Sequence, residues 1–104
     1  MLVGVIPALN EQETIGEVVS GLAEYTDAVI VVDDGSGDST ARRARDAGAI
    51  VHTHKETEGY DQSVQDGLVK AIELGATTIV TFDADGQHQP EDVMRMEATM
   101  YDRD

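Results

Sequence analysis

The segment Ala28-Val29-Ile30-Val31-Val32 is apolar at every position and mostly β-branched. Acid and glycine follow it at once, in Asp33-Asp34-Gly35. A strand apolar on both faces belongs in the middle of a parallel sheet, covered above and below. The rest of the chain supplies the cover. Leu2 to Ile6 is a short β-branched run ending at Pro7. Glu13 to Glu24 carries Ile15, Val18, Val19 and Leu22 on one helical face. Asp38 or Ser39 can cap a helix running to about Ala47, which Gly48 ends. Ala49 to Thr53 reads as a third strand, Asp61 to Leu74 as a helix stopped by Gly75, and Thr77 to Phe82 as a fourth strand. Pro90 sits where a last helix begins, predicted to run to about Tyr101. Met96 and Met100, four residues apart, would form its core-facing stripe. The order βαβαβαβα predicts an α/β fold, a Rossmann-like parallel sheet with right-handed crossovers and helices on both faces.

Length and composition bound the function. The 104 residues allow one compact domain. A domain of this size buries roughly two-thirds of its unfolded surface. Hydrophobic residues make up 40% of the chain, too many for an acidic disordered tail. The formal net charge of -14 opposes direct binding to nucleic acid or to an anionic membrane, since both are polyanions. There is no Cys, which excludes disulfides, thiol catalysis and zinc–thiolate sites. Apolar runs reach only about five residues, far short of a membrane span, and the N-terminus lacks the pattern of a signal peptide. Twelve of the 21 acids are Asp and only two of the seven bases are Lys. This skew leads us to expect a salt-rich, halophilic setting, where cations screen self-repulsion, with an ordinary acidic protein as the plain alternative.

In an open parallel sheet, ligands bind at the carboxyl ends of the strands. Those ends carry Pro7-Ala8-Leu9-Asn10-Glu11, Asp33-Asp34-Gly35-Ser36, His54-Lys55-Glu56 and Asp83-Ala84-Asp85-Gly86-Gln87-His88. Carboxylates from three loops thus gather on one edge, which is costly unless something positive joins them. Asp83, Asp85 and Gln87 are hard oxygen donors suited to Mg²⁺ or Mn²⁺, with His88 a weaker candidate. An acidic turn is the plain alternative. The loop is no EF-hand, which needs Gly at its sixth position, whereas Gly86 is fourth from Asp83. The Asp33-Asp34 loop can accept hydrogen bonds from a base or ribose, or can be a turn in which Gly35 and Gly37 supply positive φ and Asp38 caps a helix. Neither G-x-G-x-x-G nor G-x-x-x-x-G-K-[ST] is present. His52 and His54 read as strand-end or exposed residues rather than metal ligands. Arg42, Arg43 and Arg45 read as a solvated helix face.

Three of these loops, in this order, resemble family-2 glycosyltransferases of GT-A fold. Val5-Ile6-Pro7-Ala8-Leu9-Asn10-Glu11 is similar to their opening strand and "P-x-x-N-E" loop. Val31-Val32-Asp33-Asp34-Gly35-Ser36 with Asp38-Ser39-Thr40 is similar to "V-D-D-G-S-x-D-x-T". Asp83 to His88 is similar to the "D-A-D-x-Q-H" form of the branch containing dolichol- and polyprenyl-phosphate sugar synthases. The resemblance covers nearly the whole chain. It implies a UDP- or GDP-linked sugar as donor, a divalent metal, and inverting transfer to an acceptor such as a polyprenyl phosphate. It implies that Pro7, Leu9 and Glu11 line the nucleotide pocket, and that Asp34 contacts base or ribose while Asp33 supports the loop. Asp83, with Ala84, would meet the nucleotide sugar, and Asp83, Asp85 and Gln87 would hold the metal. Gly59, Ser63 and Gly67, four residues apart, would bring a helix close to the sheet. Leu9 replaces a frequent aromatic, which weakens base stacking. Glu56, Glu58, Tyr60 and Asp61 crowd the third loop and leave Lys55 its only cation, which opposes a phosphate contact there.

In the family, the catalytic base and the acceptor loops come from the C-terminal half. The expectation is therefore the N-terminal, donor-binding part of a longer domain, without an assignable base. Asp92 and Glu97 follow the metal loop but fall on the predicted last helix. The resemblance also implies a cytoplasmic location, at the inner face of a membrane through further segments, and self-association through an uncovered sheet edge. A stand-alone nucleotide-binding module without turnover is the alternative. A nucleotidyltransferase ranks last, because Pro7 to Glu11 is neither glycine-rich nor basic.

Overall fold

The computed structural model describes residues 1–85 and the strand Met94–Glu97. The elements run β1 (Leu2–Ala8), α1 (Ile15–Ala23), β2 (Ala28–Asp33), α2 (Thr40–Asp46), β3 (Ile50–Thr53), α3 (Tyr60–Leu74), β4 (Thr78–Thr81) and β5 (Met94–Glu97). They form one sheet of order β3-β2-β1-β4-β5. Neighbours among the first four strands are parallel. The chain therefore grows to one side through β2 and β3, then returns to place β4 on the other side of β1. That reversal puts the switch point between β1 and β4, where such sheets bind ligands.

Side-chain alternation explains the layers. Val3 and Val5 of β1, Ile30 and Val32 of β2, and Ile79 of β4 face α3, meeting Leu68 and Ala71. Ile6, Ala8, Val29, Val31 and Val80 point to the other face, meeting Ile15, Val18, Val19 and Leu22 of α1 and Ala44 of α2. Both faces of β2 are thus buried, as its unbroken apolar run requires. The four apolar residues of α1 singled out by spacing are the four that α1 buries.

Gly67 holds α3 against the sheet: a Cβ there would collide with Val5 Cγ1 and lie 3.2 Å from Val32 Cγ2. Ser63, one turn earlier, is buried and donates to the Gly59 carbonyl at 2.9 Å. Gly59 has a different reason. Nothing crowds a Cβ there, but its φ of 105° is one that only glycine adopts freely. Gly35 has positive φ as expected, whereas Gly37 does not.

Two sequence expectations are corrected. β1 does not stop at Ile6. It continues through Pro7 to Ala8, paired with β2. The β1–β4 ladder ends at Val5↔Thr81, before the proline. The second correction is larger. Met94–Glu97 is a strand, antiparallel to β4, from Thr78↔Glu97 to Thr81↔Met94. The predicted helix from Pro90 to Tyr101 therefore fails at its centre. Met96 and Glu97 lie on β5, and Asp92 and Met100 lie outside the described residues. Met94-Arg95-Met96-Glu97 alternates apolar and charged, which suits a strand. Pairing along β4 overrides the weak helical spacing, because it satisfies a row of backbone groups that would otherwise form an edge.

Candidate functional site

The loops after β1 and β2 are laced together. The Asn10 amide donates to Ser36 Oγ at 2.8 Å, and Asn10 Oδ1 accepts from the Gly37 amide at 2.9 Å. The Glu11 amide donates to Thr40 Oγ1 at 2.9 Å, and Gln12 Oε1 accepts from the Ser39 amide at 3.1 Å. Asp38 Oδ1 accepts from the amide of Thr40 at 2.9 Å and from its hydroxyl. The Thr40 hydroxyl bond comes first in holding the Asp38 carboxyl below its ordinary value, against a smaller opposing effect of burial. Asn10, Ser36, Asp38 and Thr40 thus act as fasteners, and Asp33 does too. Asp33 is buried, with its Oδ1 accepting from the Ser36 amide at 3.2 Å. The loop after β4 is tied in by Thr14, whose hydroxyl donates to the Ala84 carbonyl at 2.5 Å.

Between these loops, at the switch point, lies a cleft of about 400 Å³. Pro7, Ala8, Leu9 and Glu11 form one wall, Asp83, Ala84 and Asp85 another, and Asp34, Tyr60 and Ser63 complete it. Four carboxylates line it, and no Lys, Arg or His does among the described residues. The Tyr60 hydroxyl points at Asp83 Oδ1, 3.4 Å away. Leu9 is partly exposed at the rim. The structure thus brings Pro7, Leu9, Glu11, Asp34, Asp83, Ala84 and Asp85 to one place. It sets Asp33 behind the wall, and Gln87 and His88 lie outside the described residues.

Asp34 is the best-anchored of these acids. It is 4% exposed. Its Oδ1 accepts from the Glu58 amide at 2.7 Å and faces His54 Nδ1 at 2.8 Å. Its Oδ2 accepts from the Gly59 amide at 3.0 Å. Burial is the largest single influence and pushes its carboxyl up. The bonds from Glu58, His54 and Gly59 together outweigh it, leaving Asp34 below the ordinary carboxylate value.

His54 has a second partner, Asp66 Oδ2, at 2.7 Å from Nε2. The bond to Asp34 raises the His54 pKa most. Burial opposes it, and Asp66 and Glu58 raise it further. The His54 bond in turn is the chief cause that lowers Asp66. His54 is at a strand end, as expected, but buried rather than exposed. Its role was missed, as were the cleft positions of Tyr60 and Ser63. One signal was available. β2 and β3 pair in register up to Asp33↔Thr53, so the next residues of each, Asp34 and His54, must be neighbours. Donor atoms of His52, His54 and Asp66 converge within 4.8 Å, as a cation site would require. Both nitrogens of His54 are already engaged by carboxylates, however, so a cation there would have to displace Asp66.

Comparisons with known proteins agree with this geometry. The sequence model of the family described as glycosyl transferase family 2 matches residues 5–104. A UDP-N-acetylglucosamine–dolichyl-phosphate N-acetylglucosaminyltransferase of Methanococcus voltae is 36% identical over 110 residues, covering 88% of this chain and 44% of that protein. An undecaprenyl-phosphate mannosyltransferase of Micrococcus luteus is 33% identical over 100 residues, covering 88% and 41%. Among solved structures, glucosyl-3-phosphoglycerate synthase from Mycobacterium tuberculosis, in complex with Mn²⁺, UDP and glucosyl-3-phosphoglycerate, superimposes with a TM-score of 0.71 at 27% identity. That match covers 81% of this chain and 33% of that one. The chain thus spans less than half the length of the curated relatives it matches. With its motifs, its strand order and its carboxylate-lined cleft in agreement, the chain belongs to glycosyl transferase family 2.

Proposed function

We propose that this chain is the donor-binding part of an inverting glycosyltransferase that takes a UDP-linked sugar with a divalent cation and serves a polyprenyl-phosphate acceptor. The observation that carries this reading is the convergence of four carboxylates, Glu11, Asp34, Asp83 and Asp85, on one cleft at the switch point. Such a wall suits a diphosphate that arrives with Mg²⁺ or Mn²⁺ better than a bare one. The all-oxygen donor set fits such a hard cation, and Asp83, Asp85 and Gln87 would hold it. Bound there, the cation supplies charge neutralisation to the departing diphosphate.

Pro7 and Leu9 would flank the nucleoside. Asp34 would read it. A carboxylate has about four acceptor positions. Three on Asp34 are taken by His54, Glu58 and Gly59. The one left, on Oδ2, matches the single imide N–H of uracil better than the paired donors of guanine. The M. voltae relative's name specifies a UDP-linked donor and a dolichyl-phosphate acceptor, and the M. luteus relative's name an undecaprenyl-phosphate. Lipid-linked acceptors support work at the cytoplasmic face of a membrane. Among the described residues, no helix is long and apolar enough to cross one.

Calorimetry with Mn²⁺ and either UDP or GDP tests the reading. UDP should bind more tightly, and Asp83→Asn and Asp85→Asn should each weaken it at least about tenfold. Equal affinity for GDP would refute the uracil assignment, and unaltered binding by both variants would refute the metal assignment. Incubation with a UDP-sugar and polyprenyl phosphate then separates binding from transfer. Turnover would place the catalytic base within these 104 residues.

A further inference from the structure

Asp34 lines the cleft while only 4% exposed, and three of its acceptor positions are taken by His54, Glu58 and Gly59. The grip continues away from the cleft as a chain of side chains. His54 Nδ1 meets Asp34 Oδ1 at 2.8 Å, His54 Nε2 meets Asp66 Oδ2 at 2.7 Å, and Asp66 Oδ1 accepts from Gln62 Nε2 at 2.9 Å. Neither His54 nor Asp66 lines the cleft. Both carboxylates are acceptors only, so a neutral imidazole with one N–H could satisfy just one of them. Two contacts this short require both ring nitrogens to donate, hence an imidazolium. The ring is 5% exposed and cannot be hydrated in exchange. The other titratable groups facing it are Glu58, 3.9 Å from Nε2, and the edge-on ring of His52 at 5.4 Å between centroids.

We propose that His54 and Asp66 are positioning residues for the nucleoside: Asp66 fixes the His54 ring, and the ring fixes the free acceptor edge of Asp34. The proposal rests on the nucleotide reading of the cleft. Loss of the imidazolium proton breaks one of the two contacts. The ring then either releases Asp34 or turns from Asp66, and the acceptor edge loses its fixed direction. Asp66 is therefore a remote handle on donor affinity. It sits on α3, partly exposed, beyond the cleft wall.

The test is UDP binding with Mn²⁺ by calorimetry, from about pH 5.5 to about pH 8.5, for the wild-type chain and Asp66→Ala, which leaves no donor or acceptor at that position. Comparing the two proteins at each pH cancels the titration of UDP itself. Removing the Asp66 charge makes His54 lose its proton at lower pH. The ratio of affinities should be near one at the acid end, where the imidazolium still donates to Asp34, and grow to about 3- to 10-fold near pH 7.5. A ratio that does not change with pH marks a merely structural role and overturns the proposal. His54→Gln, which can still donate one hydrogen bond to Asp34, should bind weakly at every pH. If that variant fails to fold, Asp66→Ala still decides. Failure of the wild-type chain to bind UDP at any pH would overturn the nucleotide reading and the relay with it. A binding wild type with an Asp66→Ala profile that superimposes on it would overturn the relay alone.

Discussion

The Thr14 hydroxyl donates to the Ala84 carbonyl at 2.5 Å, joining residues 70 apart in sequence. Thr14 occupies the residue just before α1, and Ala84 sits between the two carboxylates of the loop after β4. This bond adds to the β1–β4 ladder in holding the first and last walls of the cleft together. Thr14→Val keeps the side-chain shape and removes the donor. It should cost about 1 kcal/mol in urea unfolding and loosen Mn²⁺-dependent UDP binding. Unchanged stability and affinity would show that the loop is held by other contacts.

The Asp34–His54–Asp66 cluster makes stability depend on pH in a defined window. His54 is raised above its ordinary 6.5, so its contribution is full below pH 6.5 and is lost as pH rises through the raised value. Asp34 and Asp66 are lowered below 3.8, so theirs is full above pH 3.8 and is lost as pH falls through the lowered values. The stability difference between wild type and His54→Gln should therefore peak between pH 3.8 and 6.5, at about 3 kcal/mol for a broken buried pair, and shrink on both sides. Urea titrations at a series of pH values measure it. A difference still growing above pH 8 would reverse the assigned sign.

Gly67→Ala offers a test by sign. In an open helix interior the change stabilises by roughly 0.5–1 kcal/mol. Here the new methyl meets Val5 on the sheet. We expect a loss of about 1–3 kcal/mol, partly recovered by adding Val5→Ala. A more stable Gly67→Ala protein would show that α3 can lift off the sheet without cost.

The net charge of -14 is borne largely on the surface. Glu13, Glu17, Glu24, Asp27, Asp46, Glu56, Asp61 and Glu73 are all exposed. Added KCl should screen their repulsion and raise the melting temperature steadily. A melting temperature indifferent to KCl would remove the halophilic expectation. The same samples report association. β5 covers the outer side of β4, so the described sheet ends in β5 on one side and in β3 on the other, where Ile50 is 48% exposed and offers an edge to a second copy. Light scattering at working salt should show dimers, and a monodisperse monomer would count against edge pairing.

Legibility in the sequence followed the range of the interactions. The unbroken run Ala28 to Val32 announced a central strand, and the spacing of Ile15, Val18, Val19 and Leu22 announced the buried face of α1, because both signals are local. The cleft acids were legible because each sits in a loop that follows a strand whose end lies on one edge. What stayed hidden depends on partners far along the chain. Asp66 contributes through a contact with His54 that only the packing of α3 on the sheet creates. Met96 and Met100 carry helix-compatible spacing, and the strand state of Met94–Glu97 comes with the backbone of β4 beside it. The fastening roles of Asn10, Ser36 and Thr40 were likewise invisible, since the same residue types would suit direct ligand contact.

The central claim is that the acid-lined cleft takes a nucleoside diphosphate only together with a divalent cation. Calorimetric titration of UDP into the wild-type chain, with Mn²⁺ or with EDTA, tests it most directly. The account predicts clear binding with Mn²⁺ and at least about a hundredfold weaker binding in EDTA, since the cation that would join the acidic loop to the diphosphate is then removed. Equal affinity in the two conditions would contradict it.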